Sequence, residues 1–264
     1  MHTKRRQGLA LVLALVLVTT AGCSALGGGG NGSPETLTQE EFHAHDAALR
    51  DAGSATVTLN VTAPSGGQSV RLNGVVRADF EANRTSANTT IPMFGGISVD
   101  QYSDGSTTYE RTVSGFTGTQ YDAVEGSQTY LSTAMMDDGD DGSSSNGSVD
   151  ISSESANLSF EKTGEDGFEG ATVYRADRSA LVDTYSGKLN GSVVNASLEM
   201  HRTDDGFFNF VHLRLVTEVD GQRQLTELRF RITNLGETAV TKPAWVSTAR
   251  TMTENASASE NASA

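Results

Sequence analysis

Residues 192–233 read SVVNASLEMHRTDDGFFNFVHLRLVTEVDGQRQLTELRFRIT, and no other part of the chain indicates the fold class as strongly. It contains three runs, 192–201, 207–219 and 222–233, in which apolar and polar residues alternate, the pattern typical of β-strands with one buried face. Asp-Asp-Gly and Asp-Gly sequences separate the runs and predict tight hairpin turns. The stretch therefore predicts three long antiparallel strands, and because such strands twist, we expect neighbouring ones to curl together.

The rest of the chain supplies shorter elements. Further strands are predicted by period-two runs at 57–61, 70–80, 107–113, 155–163 and 171–176. Helices are predicted at 38–52, which opens with Thr38 as N-cap and Glu41 in a capping box, and at 178–185. We therefore predict an α+β fold, mainly antiparallel β, with a strongly curved, unclosed β-barrel-like sheet, an N-terminal helix and a short second helical segment.

The first residues of the chain predict export. A basic segment, Lys4 to Arg6, precedes the apolar run 9–18, which is too short to span a membrane, and small residues lead to Cys23. We predict a signal peptide over 1–22, and Cys23 resembles the lipobox cysteine of prokaryotic lipoproteins. The resemblance implies a diacylglyceryl anchor, whose two acyl chains hold a protein stably to a membrane. We expect a lipid-anchored protein at the extracytoplasmic face of the cell membrane, exported by either the general or the twin-arginine route.

Composition sets the expected domain limits. A flexible linker is predicted over 23–36, a single curved-sheet domain over 37–246 and a disordered tail over 247–264, where Glu-Asn-Ala-Ser-Ala repeats. Inside the domain, 136–148 is predicted to be a disordered acidic loop. Cys23 is the only cysteine, so no disulfide is available, but more than about 200 residues suffice for a core without one. We expect a monomer.

The charge of the chain excludes one class of partner. It has 19 basic and 33 acidic residues, a formal net charge of −14. Nucleic acids are bound by neutralising phosphates with Lys and Arg, so we expect no nucleic-acid partner. An acid excess with few lysines resembles the proteins of salt-loving archaea, where high salt screens self-repulsion. An acidic protein from a mesophile is the alternative.

Asparagine usage predicts modification. Of 13 asparagines, ten open an Asn-x-Ser/Thr sequon, which in an exported protein indicates N-glycosylation. Seven sequons are the predicted sites: Asn60, Asn83, Asn88, Asn146, Asn157, Asn190 and Asn195. The alternative is that strands rich in Ser and Thr produce sequons by chance.

The sequence has no familiar enzyme signature. It lacks the nucleophile elbow Gly-x-Ser-x-Gly, the zinc motif His-Glu-x-x-His and the phosphate loop Gly-x-x-x-x-Gly-Lys. His43 and His45 are two residues apart on the predicted helix, a poor spacing for a shared metal ion, and we predict that His45 lies in or at the rim of the core with one hydrogen bond. The acidic run 137–142 departs from the calcium loop that it resembles. We therefore predict no enzyme activity, cofactor or metal site.

The order of elements, the anchor and the scarcity of lysine together resemble a family of uncharacterised haloarchaeal surface lipoproteins. More distantly, the chain resembles the unclosed-barrel lipoproteins of bacterial envelopes, the Lol-type carriers and their glycolipid-carrying relatives. That resemblance covers about 37–246. It implies a curved sheet that wraps helices around an apolar cavity for acyl chains.

The expected ligand is therefore a lipid or another apolar molecule. We predict that it lies between the first helix and one face of the long strands, with an apolar, glycine-hinged segment as the mouth. The predicted ligand-binding residues are Phe42 and Leu49 on the helix, Met93 and Phe94 at the mouth, and Leu198, Met200, Phe208 and Phe210 or their opposite-parity neighbours on the sheet.

Two alternatives stay open at this point. The first is a structural or partner-binding surface glycoprotein with a filled interior, since side chains that fill a core and side chains that line a pocket are the same residue types. The second is an envelope enzyme with an unfamiliar site, which would show convergent polar groups with shifted pKa values in a cleft.

Overall fold

The computed structural model describes residues 35–37, 39–65, 68–92, 96–126, 158–186, 189 and 191–261. Within them the predicted fold class is confirmed: the chain is mainly antiparallel β, it carries three helices, and its sheet does not close.

The helices are α1 (Gln39–Asp51), α2 (Arg178–Tyr185) and α3 (Trp245–Asn261), and a short 3-10 turn covers Phe168–Gly170. The strands are β1 (Glu35–Thr36), β2 (Ser54–Ser65), β3 (Gln68–Asp79), β4 (Arg84–Ile91), β5 (Ile97–Ser103), β6 (Thr107–Ser114), β7 (Gly118–Glu125), β8 (Ser159–Asp166), β9 (Thr172–Ala176), β10 (Ser192–Arg202), β11 (Phe208–Val219) and β12 (Gln222–Thr233).

The chain divides into two compact units. Of the described residues, the first unit holds 35–48, 62–69 and 158–230, and the second holds 49–61, 70–126 and 231–261. In the first unit the strand order is β1-β8-β9-β10-β11-β12. Its core comes from the inward side chains of β8 to β12 and from α2, including Phe160, Leu181, Tyr185, Leu215 and Leu228.

The second unit is a meander. Its strand order, β2-β3-β4-β5-β6-β7, follows the sequence, and the pairs from β3 to β7 are antiparallel. A buried cluster joins the sheet to α3, with Tyr102 and Tyr109 from the strands and Val246 and Ala249 from the helix. In neither unit does the last strand of the order pair with the first, so the sheet stays open.

The long hairpin predicted between residues 207 and 233 is confirmed. Asp220 and Gly221 both have positive φ, 52° and 75°, which is the signature of the type I′ turn that matches strand twist. The strands on either side have the predicted lengths to within one residue.

The structure corrects the prediction of a disordered tail over 247–264. Residues 245–261 form α3 instead, and its first turns are ordered because Val246 and Ala249 pack, fully buried, in the tyrosine cluster. The polar repeats indicated disorder, but Val246 and Ala249 lie one helical turn apart and form a short apolar stripe. The predicted linker is also too long, since Glu35 and Thr36 pair with Phe160 and Ser159.

Several predictions fall outside the described residues: the signal peptide, Cys23, and the acidic loop 136–148. In the part of the chain that the structure describes, no helix is both long and apolar enough to cross a membrane.

Candidate functional site

Strand register separates the predicted ligand-binding residues into two groups. Leu198 lies opposite Leu213 and Met200 opposite Val211, whereas His201 lies opposite Phe210. Directly opposed residues of antiparallel strands project to the same side of a sheet, and successive residues alternate. Leu198 and Met200 therefore share one side, which we call the apolar face, and Phe210 lies on the other. The apolar face consists of Ala196, Leu198 and Met200 of β10 with Val211, Leu213 and Leu215 of β11.

A β-bulge brings Phe208 back to the apolar face. The register shifts after His201, so that Arg202 pairs with Phe208 and Asn209 is the extra residue on β11. Successive residues of a strand point to opposite sides of the sheet, so Arg202 and Met200, two residues apart on β10, lie on the same side. Phe208 faces it from the neighbouring strand.

The N-terminal part of α1, residues 39–48, is fastened at this end of the apolar face by two polar contacts. The Arg202 Nη1 donates to Glu41 Oε1 over 2.9 Å, and the Phe208 backbone N–H donates to His45 Nδ1 over 3.1 Å. The His45 and Phe208 rings also touch, with centroids 5.7 Å apart. We call this group the α1 clasp: Glu41, His45, Arg202 and Phe208.

His45 matches its prediction as a core or rim histidine with a hydrogen bond. Burial lowers the pKa of its imidazole to about 4, because a charged ring loses hydration there. The Nδ1 atom accepts from a backbone N–H, which requires that nitrogen to be unprotonated. His45 is therefore neutral near pH 7.

Arg202 is the residue of this site that the sequence did not reveal. Its side chain is 26% exposed and that of Glu41 is 24% exposed, so the ion pair is largely shielded from water. The Arg202 Nε is buried without a hydrogen-bond partner, which is costly for a charged donor. From the sequence, an arginine at the end of an alternating strand is expected at the surface. Its contact with α1 is seen only in the folded chain.

The other predicted residues are distributed as follows. Leu198 and Met200 are 1% and 2% exposed and Phe208 is 1% exposed, so protein atoms cover them. Leu49 is buried in the second unit. The side chain of Phe42, and Met93 and Phe94 entirely, lie outside what the structure describes.

The opposite side of the first unit carries a row of charged groups. Arg175 bonds Glu165 over 2.8 Å and Glu199 over 2.9 Å, and His201 Nε2 lies 3.0 Å from Glu199. Burial alone would raise the pKa of Glu199, but hydrogen bonds from His201 and Arg175 outweigh it and lower that pKa. Phe210 stacks on His201 with ring centroids 4.4 Å apart. Phe210 thus belongs to this charged side, away from the α1 clasp.

In the second unit, polar contacts fasten α3. The Arg250 Nη2 donates to the Tyr109 hydroxyl over 2.9 Å. The Arg111 guanidinium lies 5.5 Å from the centre of the Trp245 ring and also bonds Asp100. These contacts secure the first turns of the helix.

Four predicted glycosylation sites lie in the described residues. Asn60, Asn83 and Asn88 are exposed and Asn195 is half-buried, and the Asn88 amide donates to Asp100 over 2.6 Å. Asn146, Asn157 and Asn190 are outside the description. Among the described residues, no three His, Cys, Asp or Glu side chains are grouped to hold a metal ion.

Comparison with known proteins gives a family and a set of distant folds. A model of a family of unknown function, DUF7537, matches residues 8–249. Among curated proteins none matches the sequence.

Three solved structures show the level of likeness. Lipoprotein LppX of Mycobacterium tuberculosis is 12% identical, covering 77% of this chain and 97% of its own, with a TM-score of 0.37. A DUF1329 family protein from Desulfovibrio piger is 8% identical (79% and 95% covered, TM-score 0.29). The MucA/MucB complex of Pseudomonas aeruginosa is 12% identical (78% and 59% covered, TM-score 0.32). Likeness at these scores says nothing about what this chain binds.

Proposed function

This chain belongs to DUF7537, a family of unknown function, and we propose that it is a cell-surface lipoprotein that binds a lipid or another apolar ligand beneath the N-terminal part of α1. The α1 clasp is the observation that carries the proposal. It joins residues 39–48 to the Arg202 end of the apolar face, and its contacts include an ion pair and a backbone hydrogen bond, both of which can open and re-form.

The residues under the clasp suit an apolar ligand. Leu198, Met200 and Phe208 offer only hydrocarbon, thioether and ring surface on this side, and burying such surface contributes roughly 25 cal/mol per Å². Because protein atoms cover these side chains, a ligand reaches them only where the covering residues move aside.

The location of the protein is part of the proposal. The basic start, the short apolar run and Cys23 favour a lipid anchor at the extracytoplasmic face. A protein tethered to a bilayer is placed beside a store of apolar molecules. We propose no enzyme activity, because the sequence carries none of the familiar catalytic signatures.

The test is native mass spectrometry of the full chain purified from its expressing cells. The spectrum under native conditions is compared with that of the denatured chain, so that a covalent anchor adds to both masses and a bound ligand to the first alone. We expect a stoichiometric apolar adduct. A native mass that equals the denatured mass, with solvent extracts free of co-purified lipid, would count against ligand binding.

A second candidate, a partner-binding or structural surface glycoprotein, is favoured by two observations. The apolar face is filled in this structure, as such a protein requires, and Asn60, Asn83 and Asn88 are exposed. The same mass spectra separate the two proposals, because glycan mass without apolar adduct is the result that the second one expects.

A further inference from the structure

Resting on the proposed placement at a membrane, we propose that the turn between β6 and β7 docks on the surface of the lipid bilayer, with the Phe116 ring inserted among the lipid head groups. The partner is the bilayer itself, and this docking is separate from the binding of an apolar ligand beneath α1. It holds one end of the second unit's meander against the membrane.

The β6–β7 hairpin exposes apolar side chains. Phe116 is 77% exposed, the most exposed large hydrophobic side chain among the residues that the structure describes, and Val113 on the same hairpin is 38% exposed. A single exposed apolar residue is ordinary on a protein surface, so the surroundings of this ring decide what it can bind.

The turn that carries the ring is closed and its backbone is held in place. The Ser114–Gly118 pair closes the hairpin around a three-residue loop, 115–117. Gly118 has a φ of 73°, the left-handed conformation with which such loops return to the strand. The Phe116 backbone N–H donates to the Ser114 Oγ over 3.2 Å, so this donor keeps a partner when it leaves water, as a lipid environment requires. Little ordering is therefore needed when the turn docks.

The charged residues of the second unit's meander avoid this end of the sheet. No charged residue occurs in 112–121, which contains the β6–β7 turn, or in 85–99, which contains the β4–β5 turn, although 20% of the chain's residues are charged. Ile97 pairs with Ser114, so the two turns lie side by side. Two uncharged segments of the sequence thus meet at one end of the meander.

The opposite end of the same strands is charged. Its turns and their flanking residues include Asp79, Glu81, Arg84, Asp104 and Glu125. The whole chain has a formal net charge of −14, so approach to lipid phosphates is unfavourable over most of its surface. It is least unfavourable at the uncharged end, which therefore faces the bilayer.

The nearest charged residues limit the depth of insertion. Arg111 and Asp100 pair across β6 and β5, and an ion pair of 2.7 Å joins them. Three residues of strand separate Arg111 from Ser114, a length of about 10 Å. The apolar surfaces of interfacial proteins enter the head-group region by about 5–10 Å. Phe116 therefore reaches this depth before the ion pair meets the lipid.

A bilayer fits this surface better than a protein partner does. A specific protein interface buries about 800 Å² on each side and contains about ten hydrogen bonds. The β6–β7 turn offers only a ring, a valine and small glycine, serine and threonine residues. Lipid head groups need no matching shape, and phenylalanine is one of the residues with which interfacial segments enter them.

The experiment measures quenching of tryptophan fluorescence in vesicles of brominated phosphatidylcholine, with unbrominated phosphatidylcholine as the reference. The full chain, purified from its expressing cells, is reconstituted into both. Trp245 is the only native tryptophan, so the wild type supplies the background. We compare Phe116→Trp, which places an indole in the turn, with Val124→Trp as the matched control. Val124 is also an exposed apolar residue, at 45%, but it lies at the other end of the same hairpin.

We expect brominated lipid to remove most of the added emission of Phe116→Trp, and we expect its emission maximum to shift to the blue, because the indole leaves water. The added emission of Val124→Trp should be the same in both kinds of vesicle. Both substitutions exchange one exposed apolar side chain for another, so both proteins should keep the far-UV circular dichroism spectrum of the wild type.

The outcomes separate this inference from the placement on which it rests. If the chain floats with the vesicles and the added emission of Phe116→Trp is not quenched, the docking inference is wrong and the anchored placement stands. Equal quenching in the two variants also overturns the inference, because the hairpin then has no docked end. If the chain does not float with the vesicles, the placement fails and the inference fails with it. Ligand binding is measured separately, by native mass spectrometry, and does not depend on these results.

Discussion

At the scale of single residues, His45 couples the α1 clasp to pH. Its imidazole is neutral in the folded chain because burial lowers its pKa to about 4, from the ordinary 6.5. In the unfolded chain the ring is hydrated and takes up a proton at the ordinary pKa. Between these two values the unfolded chain binds more protons than the folded chain, so acid favours unfolding.

We predict that replacing His45 with asparagine flattens the acid side of the stability curve. The stabilising contribution of the neutral ring is complete above about pH 6.5 and is lost as the pH falls towards 4, up to about 3 kcal/mol in total. The amide oxygen of the substituted side chain can still accept from the Phe208 N–H, but the amide does not titrate. The measurement is the free energy of urea unfolding of both proteins at about pH 7.5, above this window, and at about pH 4.5, near its lower end.

The carboxylates titrate in both proteins, so their effect cancels in the comparison. The wild type should lose more stability than His45→Asn between the two pH values. Parallel losses would show that His45 is not the titrating group.

Phe208 and Phe210 show what residue patterns alone left unsettled. Alternation along one strand places them on the same side of the sheet, whereas the register places Phe210 beside His201 and Phe208 opposite Arg202. The reason is the extra residue, Asn209, whose buried amide donates to the Phe168 carbonyl over 2.9 Å. A bulge depends on the partner strand and on this distant carbonyl, so no local pattern indicates it.

At the scale of elements, α3 shows how tertiary contacts order a polar segment. Its apolar residues are few, and an isolated helix of this composition would be marginal in water. Val246 and Ala249 nevertheless pack against Tyr102 and Tyr109, and Arg250 bonds the Tyr109 hydroxyl. The helix is therefore stabilised by the strands on which it lies.

We predict that Ala249→Asp unfolds α3 from the sheet and destabilises the second unit. Ala249 has no exposed surface, and an unpaired charge in that position costs roughly 2 kcal/mol or more. Thr248→Asp, on an exposed position of the same helical turn, is the control and should change stability by less than about 0.5 kcal/mol. Thermal unfolding of the three proteins measures the difference, and equal melting temperatures would contradict the packing of α3.

Among the elements that the sequence analysis did not predict, the strands β4 and β7 were missed for the same reason. β4 reads RTSANTTI and buries Thr89 beside Ala87 and Ile91, while β7 is exposed along most of its length. Strands with few buried apolar residues carry little periodic signal. Their position is decided by hydrogen bonding to β3, β5 and β6, which only the folded chain reveals.

At the scale of the whole molecule, the proposed lipid anchor would determine where any ligand is met. We predict that the N-terminal peptide of the protein purified from its native type of host begins at Cys23 and carries a diacylglyceryl group. Cys23→Ser should abolish both the lipid and the cleavage at this position, because the sulfur is the atom that is acylated. Peptide mass spectrometry measures both.

Ser24→Ala is the matched control for the anchor, since it alters the neighbouring residue without touching the sulfur. It should be processed like the wild type. An unmodified Cys23, or a chain that still begins at Met1, would overturn the anchored placement while leaving the fold unaffected.

The sequence by itself determined the class of fold and the long hairpins. Alternation, Asp-Gly turns and helix patterns are local signals, and they are strong wherever one face of an element is buried. The sequence also indicated that His45 lies in or at the rim of the core with a hydrogen bond, as it does. Its export signals supply the hypothesis of a surface lipoprotein, which the described residues do not test.

Which side chains contact one another becomes known only from the folded chain. Strand register, the bulge at Asn209 and the seat of α1 bring Glu41 to Arg202 across 161 positions of sequence, and they move Phe210 to the opposite side. The physical reason is that pairing between strands and packing of helices depend on free energies summed over distant segments. The total free energy therefore favours one register and one packing of the helices, whereas each local pattern alone is compatible with many.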